Sequence, residues 1–174
     1  MPSGKRIVIW GGAAALAGAA VVLGAFSRWG LDTFTRSART VEARGRAFEL
    51  ASAIARCVNR SGRSTLPPSA GPVPETVHEV RWGAAESDAA FHAEAFTCAG
   101  FHPRGVIHVQ IAWNQEGPLA GVAIGRLDED GDGTVDFEAR SRVSCDGAAP
   151  EPCHAAMVEE FRPDGGLPAA GERR

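Results

Sequence analysis

No proline interrupts residues 7–60, and "IVIWGGAAALAGAAVVLGAF" (7–26) contains no charge. Nothing in this stretch must break or sharply kink an α-helix. At about 1.5 Å per residue the uncharged part reaches roughly 30 Å, one hydrocarbon thickness. Lys5 and Arg6 precede it, and Trp10 and Trp29 stand near its ends, where indoles favour a membrane interface. The segment therefore predicts a single membrane-spanning helix, residues 1–30 serving as an anchor in a lipid bilayer. The alternative is a cleaved signal peptide, for which Ala15-Leu16-Ala17 or Gly18-Ala19-Ala20 offers a cut. Either way the rest of the chain is exported. Gly11 with Ala15, Ala14 with Gly18 and Ala20 with Gly24 form small-xxx-small pairs, which let helices approach closely in lipid.

Beyond Gly30 the pattern becomes amphipathic. Leu31, Phe34, Ala38, Val41, Phe48, Ala51, Ile54 and Val58 recur at helical intervals, which predicts that this face is the buried one. "SGRSTLPPSAGPVP" (61–74) reads as a loop or extended linker. The period then changes to two. Strands are predicted over 106–113, with Ile107, Val109, Ile111 and Trp113 on one face, and over 119–126, with Ala120, Val122 and Ile124 together. A third covers 134–143, where Val135, Phe137, Ala139 and Val143 alternate with polar residues. "VHEVRW" (77–82) and "FHAEAFT" (91–97) are weaker candidates. Such alternation describes an antiparallel sheet with one buried and one wet face, for which the helix of 31–60 is the available cover. The expected fold is α+β: a long N-terminal helix, half membrane segment and half amphipathic, packed on a small antiparallel sheet. Residues 31–161 would form the exported domain and 162–174, rich in Pro and Gly, a flexible tail.

A net charge of −3 gives no reason to expect a nucleic-acid partner. The four cysteines, Cys57, Cys98, Cys145 and Cys153, contain no C-x-x-C spacing, and export with an even count favours disulfides. Of three possible connectivities, local closure favours Cys145–Cys153, which leaves Cys57 to Cys98. His92, His102 and His108 flank Cys98 at spacings that match no usual zinc pattern. No nucleophile elbow, P-loop, H-E-x-x-H or dinucleotide fingerprint occurs, so no enzymatic activity is expected.

"LDEDGDGTVDFEA" (127–139) is the candidate site. Asp128, Asp130 and Asp132, followed by Gly133, match the first half of an EF-hand calcium loop, with Thr134 and Asp136 at the next alternate positions. The match stops at Ala139, where a bidentate Glu belongs, and both flanks read as strand. The loop is thus a hairpin tip that either holds a structural calcium ion or is a hydrated turn of the kind Asp and Gly favour.

Taken together, the apolar segment running into an amphipathic helix, the meander and the late cysteine pair resemble type IV pilin-like proteins of Gram-negative bacteria, pseudopilins included. The local likeness runs from "FTCAGFHPRG" through "VIHVQIAW" to "AIGRLDEDGDGTVDFEA", and Cys145 and Cys153 match the C-terminal disulfide loop of many pilins. Where pilin precursors carry Glu at the fifth position after the leader glycine, this chain has Ile9, five residues beyond Gly4. The resemblance implies a non-enzymatic, membrane-anchored component of a type IV pilus or a type II secretion-like filament. It would sit in the inner membrane by a single pass, with its C-terminal domain in the periplasm or at the cell surface. Other pilin-like subunits would contact it through the N-terminal helix. The alternative function is an exported, monomeric calcium-dependent binding domain.

Overall fold

Helix α1 runs over Gly4–Ser61, as the absence of proline allows. The computed structural model describes residues 4–77, 91–102, 107–146, 152–156 and 159–161, and within α1 the side chains of residues 30, 31 and 33–61. The chain divides into two units, Met1–Ala38 and Arg39–Arg174. In the first, Leu31 and Phe34 are exposed, and the Thr35 hydroxyl donates to the Leu31 carbonyl at 2.8 Å.

The second unit is dominated by one antiparallel sheet of six strands. These are β1 (Ala70–Val73), β2 (Gln110–Gly117), β3 (Ala120–Leu127), β4 (Phe137–Cys145), β5 (Cys153–Ala155) and β6 (Glu159–Phe161), with a short helix α2 (Glu94–Ala99) before β2. The strands lie in the order β1-β2-β3-β4-β5, and β6 pairs with β4 alongside β5. Arg39–Ser61 of α1 supplies Ala47, Leu50, Ile54 and Val58 to a core completed by Val109, Ile111, Trp113, Phe137 and Val143.

Two expectations are corrected here. Among the described residues no helix is long and apolar enough to cross a membrane, so the single-pass inner-membrane placement is not supported. Between Arg36 and Arg60, charged residues recur every two to seven positions and leave no span of bilayer length. The side chains of 7–26, including the small-xxx-small pairs, lie outside the described residues. Nor is the sheet a small partner to a pilin-like helix: among the described residues its six strands make up most of the second unit's regular structure.

The helix also buries a different face from the one its large residues suggest. Ala51, Ile54 and Val58 are buried as expected, but Val41 is 59% exposed and Phe48 36%. Successive helical residues stand about 100° apart, so Ala43 and Ala47 share the side of Ile54 while Val41 and Phe48 point the other way. Contact with the sheet selects the alanines. A Cβ built on Gly125 of β3 would lie 2.5 Å from the Ala43 carbonyl oxygen, an approach with no room for Phe or Val. Strand β3 follows the same logic. Ala123 and Leu127 face the main core, and Gly121 lies under Trp113, whose ring stands 2.5 Å from where a Cβ would be. Val122 and Ile124 point outward and join Ala112 in a second buried apolar cluster, so the sheet's outer face is not simply wet.

Segment 91–97, weakly predicted as a strand, instead leads into α2, which Gly100 ends in a left-handed conformation (φ 62°). The amides of Gly100 and Phe101 then return to the carbonyls of Thr97 and Phe96. Phe91 and Phe96 stack edge-on with centroids 5.3 Å apart, and that aromatic packing holds the turn. Beyond Val77, the candidate strand 77–82 lies outside the described residues, as does the tail 162–174. The expected linker 61–74 is fastened down rather than free. Leu66 is buried, its amide donates to Pro118 O, Trp113 Nε1 donates to Pro67 O at 3.0 Å, and 70–73 joins the sheet as an edge strand.

Leu50→Ala should cost about 2–5 kcal/mol of stability, whereas Val41→Asp should stay within about 0.5 kcal/mol of the parent. Gly125→Val should cost at least ~1–3 kcal/mol by overpacking α1 against β3. Urea unfolding of the three variants beside the parent tests this face assignment.

Candidate metal centre

Strands β3 and β4 pair in unbroken register from Ala120 with Ser144 to Leu127 with Phe137. The acidic stretch is therefore the tip of a hairpin, closed by a hydrogen bond from the Asp136 amide to the Leu127 carbonyl, 2.9 Å. Gly131 and Gly133 take positive φ values of 84° and 89°, a backbone that L side chains rarely adopt. Their freedom lets the loop curl back over its own carboxylates.

Asp128 is buried, with 1% of its surface exposed. Its Oδ1 accepts from the Gly131 amide and its Oδ2 from the Gly133 amide at 2.9 Å. From the other side of the loop, Asp136 Oδ2 accepts from the amides of Glu129 and Asp130. Asp130 Oδ1 accepts from the Asp132 amide at 3.0 Å. These bonds fix three carboxylates so that one oxygen from each of Asp128, Asp130 and Asp136 lies within 4.8 Å of the others. Oxygens so arranged repel one another unless a cation or solvent screens them, and together they can hold a metal ion.

Of the five residues read from the sequence, the structure brings these three together. Asp132 and Thr134 are exposed and turn to each other instead. Asp132 Oδ1 accepts both the Thr134 hydroxyl, 2.6 Å, and the Thr134 amide, 2.7 Å. Those bonds, the hydroxyl first, hold the Asp132 carboxyl below its ordinary range.

Both disulfides form, Cys145–Cys153 by the expected local closure and Cys57–Cys98 as the remaining pair. Beside the second, Asn59 at the end of α1 makes a paired contact missed by sequence reasoning. Its Nδ2 donates to the Cys153 carbonyl at 2.9 Å, and its Oδ1 accepts from the Cys153 amide at 3.0 Å.

The other missed constellation lies on the sheet's outer face. Glu138 stands opposite Arg126 in register, and its side chain is only 8% exposed. Its Oε2 accepts from Arg126 Nε at 2.6 Å, and its Oε1 accepts from Arg140 Nε. Burial pushes the Glu138 carboxyl upward, but the hydrogen bonds and charges of Arg126 and Arg140 more than reverse this, leaving it below its ordinary value of 4.5. The hairpin register was the available signal: once a tip at 128–136 is accepted, Arg126 and Glu138 fall opposite each other. Comparison with protein-family models, curated proteins and solved structures gave no match.

Because the folded Glu138 value is depressed, its stabilising contribution is fully present above the ordinary value of 4.5 and is lost as pH falls through the folded value. Glu138→Gln should therefore destabilise the domain at pH 7 and converge on the parent in acid. Thermal unfolding of both proteins across that range checks the sign; a gap that persisted undiminished at the acid end would count against it.

Proposed function

We propose that the chain is a non-enzymatic exported domain whose β3–β4 tip binds a structural calcium ion. The observation that carries the reading is the convergence of Asp128, Asp130 and Asp136 oxygens within 4.8 Å. An all-oxygen donor set favours a hard cation, and zinc would ask for nitrogen or sulfur. Between the hard cations, calcium accepts the irregular, carboxylate-rich shell that such a loop offers, while magnesium demands near-ideal octahedral geometry and keeps most of its waters. The sequence spacing of the aspartates, shared with the first half of an EF-hand loop, points the same way. The two disulfides support an oxidising, exported setting. Calcium would then clamp the connection between two central strands, making the domain's rigidity depend on an ion that is plentiful outside cells.

A second reading, a subunit of a pilin-like filament, is favoured by the exposed Leu31 and Phe34 on α1, apolar side chains that a neighbouring subunit would cover. Chemical cross-linking of the full chain tests it. A ladder of multimers that Phe34→Asp abolishes would support assembly, and a protein that stays monomeric at high concentration would remove this reading.

Calcium should raise the melting temperature of the parent by linkage, adding about 2.7 kcal/mol at one hundred times the dissociation constant. Asp130→Asn combined with Asp136→Asn should abolish the shift, and Asp132→Asn should keep most of it. Differential scanning calorimetry across a calcium titration reads all three. A parent indifferent to millimolar calcium would return the loop to a hydrated turn.

A further inference from the structure

We propose that the outer face of the sheet carries a binding site for a small organic carboxylate with an apolar body. A cavity of about 270 Å³ opens there over Val122 and Ile124, and it is walled by Arg126, Arg140 and Arg142. This lies just below the usual range for ligand pockets and suits only a compact molecule. Val122 and Ile124 are 5% and 4% exposed and belong to the outer apolar cluster rather than the main core. They form a floor on which an apolar group can rest.

The walls are set for a planar anion. Arg126 and Arg140 each give their Nε–H to Glu138, and among the described residues their Nη groups have no acceptor. One buried carboxylate thus fixes two guanidinium planes and leaves their terminal N–H groups to a ligand. Two N–H donors in a plane match a carboxylate oxygen pair, and holding them in place beforehand lowers the entropy lost on binding. Arg142 is held by Glu116, with Nη1 to Oε2 at 3.1 Å.

Charge narrows the ligand further. Three guanidinium groups line the cavity with Glu116 and Glu159, and Glu138, paired to two of them, brings the count to three charges of each sign. The Nη groups that Arg126 and Arg140 turn away from Glu138 still draw one negative charge locally, while a charge-balanced site offers a second negative charge no further gain. Phosphate would set its second charge against Glu116 and Glu159 and gain nothing from the apolar floor.

The test uses the full chain, isotopically labelled, titrated with benzoate, with benzamide as the uncharged isostere and with inorganic phosphate. Benzoate should produce saturable shifts in the amides of 122–126 and 138–142, binding at least about tenfold more tightly than benzamide or phosphate. Arg140→Gln should weaken benzoate by at least about tenfold. Ile124→Ser should weaken benzoate while leaving the response to phosphate unchanged. Should Arg140→Gln lower the melting temperature too far for binding to be read, Arg126→Lys replaces it, keeping the charge but losing the planar fork, and the same loss is required. Benzamide or phosphate binding as tightly as benzoate, variants binding as well as the parent, or shifts that stay linear up to the solubility limit of benzoate would each overturn the proposal.

Discussion

The contact between the Ala43 backbone and Gly125, closer than any Cβ permits, governs the second unit. A helix that sits this low on a sheet must present alanine where it touches, and the strand beneath must present glycine. Some bulky residues of both elements are then displaced. Val41 and Phe48 turn away from the sheet along α1, and Val122 and Ile124 go to the outer face of β3. Large side chains enter the core away from this contact: Trp113 lies over Gly121, and Phe137 of β4 and Leu50, two turns further along α1, belong to the same core.

This close seating is reinforced at both ends of the packed part of α1. Near its start, Arg44 reaches Glu160 of β6 with Nη2, 2.8 Å, and lays its guanidinium over the Phe137 ring, 5.8 Å from the centroid. Near its end, Cys57 is bonded to Cys98 of α2 and Asn59 grips Cys153. The β4 ladder and the Cys145–Cys153 bond hold the short strands β5 and β6 in the sheet, and these side-chain ties fasten them to the helix as well.

The strands with strict alternation were legible from sequence, 134–143 most of all, because Phe137, Ala139 and Val143 are inward and buried. Strand 119–126 was found, but its facing was inverted. Side-chain size is a poor guide where a helix backbone occupies the space, and nothing local announces that Gly125 is a contact point rather than a weak place in a strand. The same blind spot put Phe34 and Phe48 on the buried face. Segment 91–97 misled because Phe91, Ala93 and Ala95 alternate as readily as they wind. In the candidate site, aspartate spacing identified the loop, while the division between Asp128, Asp130 and Asp136 on one side and Asp132 with Thr134 on the other depends on where the loop's amides point, which spacing does not encode.

The Asn59 amide has one more consequence. Cys153 pairs across β4 with Cys145, and its own N–H and C=O are both taken by Asn59, so a side chain stands where another strand would add. At the opposite margin, β1 contains Pro72, which has no N–H to offer. Each margin is thereby blunted at these positions against edge-to-edge recruitment, the route by which exposed sheets nucleate aggregates. A unit rich in sheet gains colloidal safety from a single asparagine and a single proline.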